Sequence, residues 1–238
     1  MSDLLHLPEI DTASRPSVTD QVYETLLAEI VDLKLPPGAK ISEVEVAGQM
    51  GVSRQPVRDA FFRLSKQGFL TIRPQRATII SLIDPAAVMR ARFIRAAIEA
   101  ETVRLACAHL TEADMQALEA LLDEQRAAVE AGDRAQFHLL DDAFHRGICE
   151  RIGRGHVWTT ILEHKMQTDR VRLLSLAFAA PDAFGDHLRV MAAMRSRDAA
   201  ATMAAMRDHL SRIKTQILRI RADNLPYFVP EELDPSGW

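Results

Sequence analysis

The fold of the first part of the chain is decided by the stretch Gly51-Val-Ser-Arg-Gln-Pro-Val-Arg-Asp-Ala-Phe-Phe-Arg-Leu-Ser-Lys-Gln-Gly-Phe-Leu70. It predicts a short helix, because Ser53 is a natural N-cap and Pro56 falls in the first turn, where its missing N–H costs nothing. Gly68 suits the far end of this helix. The apolar residues that recur at the spacing of one helix face are Val57, Ala60, Phe61 and Leu64.

The charges on and after this helix are strongly one-sided. Residues 51–76 contain one acidic residue, Asp59, and six basic residues. A basic face of this kind suits DNA phosphates and the edges of guanine bases. The basic residues are Arg54, Arg58, Arg63, Lys66, Arg73 and Arg76.

Further predicted elements flank the basic helix. An amphipathic helix ends at Pro36-Pro37-Gly38, and Ser42-Glu43-Val44-Glu45 is a capping box that begins a second short helix. After the basic helix, the β-prone runs 70–73 and 78–82 predict a hairpin. Three helices followed by a hairpin make a winged helix-turn-helix.

Three segments resemble the N-terminal domain of GntR-family bacterial transcriptional regulators: Leu35-Pro-Pro-Gly-Ala-Lys-Ile-Ser-Glu43, Gly51-Val-Ser-Arg-Gln-Pro-Val-Arg-Asp-Ala60 and Leu64-Ser-Lys-Gln-Gly-Phe-Leu70. The resemblance implies that the basic helix enters the major groove of double-stranded DNA and that the wing reaches the minor groove. Winged helices also serve as protein-interaction modules, but basic residues at a helix N-terminus favour DNA. The implied DNA-binding residues are Ser53, Arg54, Gln55 and Arg58 on the helix and Arg73 and Arg76 on the wing.

Composition limits the class of protein. The chain has 238 residues, enough for one small and one mid-sized domain, and a net charge of −4. Its two cysteines are too few for a disulfide framework. The N-terminus lacks a basic apolar signal, and no apolar run approaches the ~20 residues of a membrane helix. We therefore expect a soluble, cytoplasmic protein without a membrane partner.

The chain is expected to divide into four segments. These are a flexible arm (1–15), the winged helix-turn-helix (16–83), a helical effector- and metal-binding domain (84–222) and a C-terminal tail (223–238).

The pattern after the wing indicates helices alone. N-cap residues mark three of the helix starts, namely Asp84 followed by Pro85, then Thr111 and Asp133. The fold class is thus mainly α, with an antiparallel all-helical bundle of six or seven helices after the winged helix. Expected segments include 85–109, 133–152, 156–178, 181–195 and 198–222, with one more helix starting at 111.

The helix that follows Asp133 carries the chemistry of this half. At about 100° per residue, Asp141 falls within its apolar stripe and His145 lies just beside it. A carboxylate and an imidazole that face a core are unfavourable to bury unless both are satisfied. They can bond to each other, or they can share a metal ion.

Two later histidines favour the metal. His187 and His209 each lie eleven residues from Asp198, where the turn between two helices is expected. In an antiparallel hairpin, equal separations from the turn bring two residues to the same height, roughly 16 Å from it at about 1.5 Å per residue. Three imidazoles and one carboxylate suit Zn, Ni, Mn or Fe and leave positions open for water or a ligand.

The helical half also resembles the FCD effector-binding domain of the FadR-like branch of the GntR family. The residues that carry this resemblance are Arg95-Ala-Ala-Ile-Glu99, Asp141-Asp-Ala-Phe-His145, Asp186-His187 and Met206-Arg-Asp-His-Leu210. It implies a divalent metal, most simply Zn in the purified protein, and an arginine, Arg95, that faces the effector pocket. The implied metal ligands are Asp141, His145, His187 and His209.

We therefore interpret the chain as a homodimeric transcriptional regulator and expect a repressor rather than an activator. Two copies would read a palindromic operator, because one winged helix covers only a few base pairs. The effector is expected to be a small organic acid, since one carboxylate against a divalent metal leaves positive charge in the pocket. A purely structural metal without an effector is an alternative. A metalloenzyme is disfavoured, because no separate nucleophile and base or phosphate loop is present.

Overall fold

The computed structural model describes residues 16–72 and 77–230, with the side chains of 175–178 left aside. These residues form two compact units. The first comprises residues 16–30 and 39–81, and the second comprises residues 31–38 and 82–230. None of the helices within the described ranges combines the length and apolarity that crossing a bilayer requires.

The first unit is a winged helix-turn-helix. Its helices are α1 (Val18–Val31), α2 (Glu43–Met50) and α3 (Arg54–Lys66), and its strands are β1 (Lys40–Ile41), β2 (Leu70–Thr71) and β3 (Thr78–Ile80). The strands form an antiparallel sheet in the order β1-β3-β2. The predicted hairpin is therefore present, but the sequence did not reveal β1, because a strand of two residues has no periodicity to detect.

Local sequence explains how α2 and α3 begin and pack. The Ser42 hydroxyl accepts a hydrogen bond from the Glu45 backbone N–H, and Gly51 ends α2 in the left-handed region at φ 65°. Ser53 occupies the N-cap position of α3, as the sequence predicted, although its side chain makes no capping hydrogen bond. The apolar face predicted for α3 is buried, with Val57, Ala60, Phe61 and Leu64 each at most 1% exposed.

The second unit contains five α-helices and one 3₁₀ helix in its described residues. Asp84, Thr111 and Asp133 cap the first three helices with their side chains, as the sequence predicted, and Asp198 caps the fifth. The helices are α4 (Pro85–His109), α5 (Glu112–Ala131), α6 (Arg134–Arg151), α7 (Gly155–Arg195) and α8 (Ala199–Asp223), followed by the 3₁₀ helix Leu225–Tyr227.

One predicted boundary in this unit is wrong. The sequence placed separate helices over 156–178 and 181–195, whereas α7 is a single helix of 41 residues with Pro181 inside it. A proline in a helix interior removes one hydrogen bond and costs about 3 kcal/mol. Packing on both sides of Pro181 offsets this cost, because Val171 and Ala183 are both buried.

The helical unit has apolar clusters on both sides of a polar centre. One cluster includes Val103 of α4 and Met206 of α8, and another includes Val88 of α4 and Ile213 of α8. Buried charged and imidazole side chains lie between these positions along α4 and α8, among them Glu99 and His209. The polar centre is therefore enclosed by packed helices.

Candidate functional site

The polar centre holds four potential metal ligands. One ligand atom from each of Asp141, His145, His187 and His209 lies within 4.8 Å of the others. All four side chains are buried. Asp141 and His145 are one turn apart on α6, so a single helix face presents both.

The turn between α7 and α8 brings the other two histidines together. Residues 196–198 join the two helices. His187 on α7 and His209 on α8 lie nearly the same number of residues from this turn. Their ring centroids are 4.6 Å apart, and the ring of His145 lies 5.2 Å from each of them. The structure thus places the residues in the arrangement that the spacing predicted.

Each histidine has a polar partner at Nδ1. His187 Nδ1 is 2.8 Å from Gln125 Oε1, and His145 Nδ1 is 2.5 Å from Glu99 Oε2. His209 Nδ1 lies 3.5 Å from the Asp186 carboxylate. Such partners fix the orientation of an imidazole and leave Nε2 as the atom available to a metal.

Sequence reasoning gave no role to these three partners. Gln125 is fully buried on α5, and its amide Nε2 donates to the Leu140 carbonyl, so it joins α5 to α6 and α7. It lies 62 residues from His187 in sequence, so no local pattern indicates the contact. Glu99 carried a detectable signal, because a glutamate four residues after Arg95 predicts an ion pair on one helix face.

Asp141 is held by an arginine that sequence reasoning also missed. Arg172 of α7 donates to both carboxylate oxygens, at 2.7 and 2.8 Å. Burial alone would raise the pKa of the Asp141 carboxyl, but the Arg172 guanidinium holds it well below its usual range. Asp141 is therefore an anion at neutral pH despite being fully buried.

Two of the histidines are prepared as neutral donors. Burial lowers the pKa of the His187 ring well below its ordinary value of 6.5, and burial also lowers the pKa of His209. The Nε2 atoms of His145 and His187 are buried and have no hydrogen-bond partner in the part of the chain described. The neutral imidazoles of His187 and His209, together with the unpartnered Nε2 atom of His145, surround an ionised carboxylate and form a donor set that fits a divalent metal ion.

A cavity adjoins the cluster. Its empty space, including the mouth open to solvent, is about 520 Å³, and His209 forms part of its wall. Three arginines line it, namely Arg95, Arg172 and Arg212. Arg95 was predicted to face a pocket, and the structure places it there, with its Nε 2.7 Å from Glu99 Oε1.

The candidate DNA-binding residues lie at the start of α3. Arg54 and Arg58 are exposed, and both approach the Oε2 atom of Glu43, at 3.4 and 3.3 Å. Gln55 is also exposed and donates to Asp59 Oδ1 at 2.9 Å. Ser53 precedes them, while Arg73 and Arg76 lie outside the described residues. The helix therefore presents basic and amide side chains together on its outer face.

A winged helix-turn-helix on the same chain as a helical unit with a buried donor cluster defines a DNA-binding transcriptional regulator. Residues 18–80 match the model of bacterial regulatory proteins of the gntR family, and residues 91–212 match that of the FCD domain. The chain belongs to the GntR family of bacterial regulators and carries an FCD domain.

Individual relatives agree with this assignment. The HTH-type transcriptional repressor RspR of Escherichia coli K12 is 36% identical over 226 residues, which cover 93% of this chain and 99% of RspR. A probable D-xylose utilization operon repressor of Paenarthrobacter nicotinovorans is 27% identical, over 83% of this chain and 88% of its own. These relatives are transcriptional regulators and not enzymes.

The fold has solved counterparts. The structure of E. coli McbR/YncC matches with a TM-score of 0.67 at 22% identity and covers 87% of this chain and 98% of its own. A regulator from Rhodococcus sp. RHA1 has the same TM-score at 19% identity, over 84% and 97% of the two chains. Both share the architecture of a winged helix followed by a helical domain.

Gln125→Leu is expected to lower the free energy of unfolding of the helical unit by about 1–3 kcal/mol. The substitution keeps the side-chain size but leaves His187 Nδ1 and the Leu140 carbonyl without their buried partner. Chemical denaturation of the metal-free protein measures the change. Gln116→Leu is the matched control, because Gln116 is exposed on the same helix. A change within about 0.5 kcal/mol for both variants would show that the Gln125 contacts are unimportant.

Proposed function

We propose that this protein is a homodimeric repressor whose affinity for its operator is controlled by a small carboxylate metabolite bound at a divalent metal. The observation that carries this proposal is the convergence of four buried metal donors beside a cavity lined by three arginines. In this proposal the winged helix-turn-helix binds the operator, and the metal and the cavity bind the metabolite that controls this binding.

DNA recognition is assigned to the outer face of α3. Ser53, Arg54, Gln55 and Arg58 enter the major groove, where an arginine can make two hydrogen bonds to guanine O6 and N7. Arg73 and Arg76 of the wing approach the minor groove. A second copy doubles the contacted sequence, and a two-fold dimer requires a palindromic operator.

The metal is assigned to Asp141, His145, His187 and His209, with Zn expected in the purified protein and Ni, Mn or Fe as alternatives. Bound there, it would supply positive charge for an incoming carboxylate. The site would keep an excess of positive charge, because only one of the four donors, Asp141, is a carboxylate. The partners Glu99, Gln125 and Asp186 keep the imidazoles turned toward the centre.

The cavity arginines are assigned to the organic anion. Arg95 is buried, and its Nη2 has no hydrogen-bond partner in the described part of the chain. A buried guanidinium with an unused N–H, on a residue that lines a cavity, favours a carboxylate, sulfonate or phosphate oxygen, because charge-assisted hydrogen bonds are strong. Sugar acids, hydroxy acids and dicarboxylates are small organic anions that carry such oxygens.

Arg58→Ala is expected to abolish sequence-specific DNA binding while the protein remains folded. The substitution removes a contact worth about 1–3 kcal/mol of base discrimination. The measurement is gel retardation of the duplex that the wild-type protein enriches from a randomised pool, against a scrambled duplex. Lys66→Ala removes the same charge from the other end of α3 and should retain the preference. Equal preference in Arg58→Ala and wild type would contradict the assigned surface.

His187→Ala and His209→Ala are each expected to remove metal from the purified protein and to lower its melting temperature. Each takes one donor from the cluster, and a metal that binds the folded state alone stabilises it by mass action. Elemental analysis and thermal unfolding are the measurements. His164→Ala, on α7 but outside the cluster, should change neither. Stoichiometric metal in the His187/His209 double variant would refute the site.

A carboxylate metabolite is expected to change operator binding only when metal is present. A difference of ~2 kcal/mol in its affinity for two arrangements of the dimer would change DNA affinity about thirtyfold. Arg95→Ala should weaken this response. Arg104→Ala, an exposed arginine of the same helix, should leave it intact. Responses to neutral sugars or amines, with none to carboxylates, would overturn the proposal.

A further inference from the structure

Arg172 belongs to the cavity and to the metal cluster at once. It lines the cavity wall, and its two terminal nitrogens donate to the two oxygens of Asp141, at 2.8 and 2.7 Å. The Asp141 side chain is fully buried, and that of Arg172 is 14% exposed. Paired forks of this kind are the strongest and most directional arginine contacts in proteins.

The other two cavity arginines are connected differently. Arg95 pairs with Glu99, and Arg212 pairs with Asp186. Those two carboxylates contact the Nδ1 atoms of His145 and His209 and are not members of the donor cluster. Among the three, Arg172 is the arginine whose partner is itself a candidate metal ligand.

This geometry sets up a competition for Asp141. Both of its oxygens are engaged by Arg172, so a metal that takes one of them weakens the fork. The guanidinium then has an N–H available to an anion in the cavity. In the other direction, an anion that binds Arg172 draws it away from Asp141 and makes that carboxylate a better ligand.

We infer that Arg172 couples the two sites, so that an anion in the cavity raises the metal affinity of the cluster and metal raises the anion affinity. This inference rests on the proposed metal and anion sites. The reciprocity is a thermodynamic necessity once either effect exists. Arg172 acts here as a positioning residue, through Asp141.

A neighbouring carboxylate makes the exchange feasible. Asp169 Oδ1 lies 3.9 Å from Arg172 Nη1, and Asp169 also contacts Lys165 Nζ at 2.5 Å. Leaving a mostly buried guanidinium without a counter-charge is unfavourable. Because Asp169 stays beside it, Arg172 keeps a counter-charge when Asp141 turns to a metal.

The test measures zinc affinity of the full-length protein by competition with a coloured chelator, with and without acetate. Acetate is the probe because it offers one carboxylate and binds free zinc weakly. In the wild type, acetate should tighten zinc binding. In Arg172→Gln, zinc should bind more tightly without acetate, on the order of tenfold, and acetate should tighten binding less than in the wild type.

Arg212→Gln is the matched control. It removes the same charge from the same cavity, but the partner of Arg212 is not a cluster member. Without acetate, its zinc affinity should rise less than that of Arg172→Gln. Equal shifts in the two variants would mean that only the lost charge matters, and they would overturn the inference. Weaker zinc binding in Arg172→Gln would overturn it as well.

Arg172→Lys covers the case in which the glutamine variant does not fold. Lysine keeps the charge but cannot form the planar fork. Tighter zinc binding with reduced acetate coupling supports the inference, whereas wild-type values for both contradict it. Failure of the proposed function looks different, because a wild-type protein that binds neither zinc nor nickel, manganese or iron has no metal site for Arg172 to act on.

Discussion

Charge buried in a helical core requires a partner for every charged group, and the helical unit of this protein is organised around that requirement. Glu99, Asp141 and Asp186 are each at most 2% exposed, and each is paired with an arginine. The Asp141 and Asp186 pairs join α6 to α7 and α7 to α8, whereas Glu99 pairs with Arg95 within α4 and contacts α6 through His145 Nδ1. Moving α6, α7 or α8 would leave a buried charge uncompensated, so the polar centre restricts how these helices pack.

The sequence predicted those residues of the site whose placement follows from the geometry of one helix or one hairpin. Asp141 and His145 stood out because they interrupt an apolar stripe, and His187 and His209 because they lie symmetrically about a turn. Both signals arise from helix geometry within one helix or one hairpin. The contacts that Gln125 and Arg172 make depend on the packing of α5 against α7 and of α6 against α7. No repeating pattern in a single sequence indicates either contact.

In the fold, too, features set by local sequence were predictable and features set by tertiary packing were not. Helix starts at Asp84, Thr111 and Asp133 were predictable because capping is local chemistry. The continuity of α7 through Pro181 was not, because tertiary packing overrides the local preference of proline. Ser53 lies at the predicted N-cap position of α3, although its side chain makes no capping hydrogen bond.

The charge balance of the polar centre links the metal to the anion. Three carboxylates, Glu99, Asp141 and Asp186, face the three cavity arginines, so this set is neutral while the imidazoles of His187 and His209 are uncharged. A divalent metal in the proposed site adds two positive charges in a region of low dielectric, where uncompensated charge is most unfavourable. An organic anion in the adjoining cavity offsets this added charge. Occupation of the metal site thus favours the binding of an anion, which the cavity arginines are placed to hold.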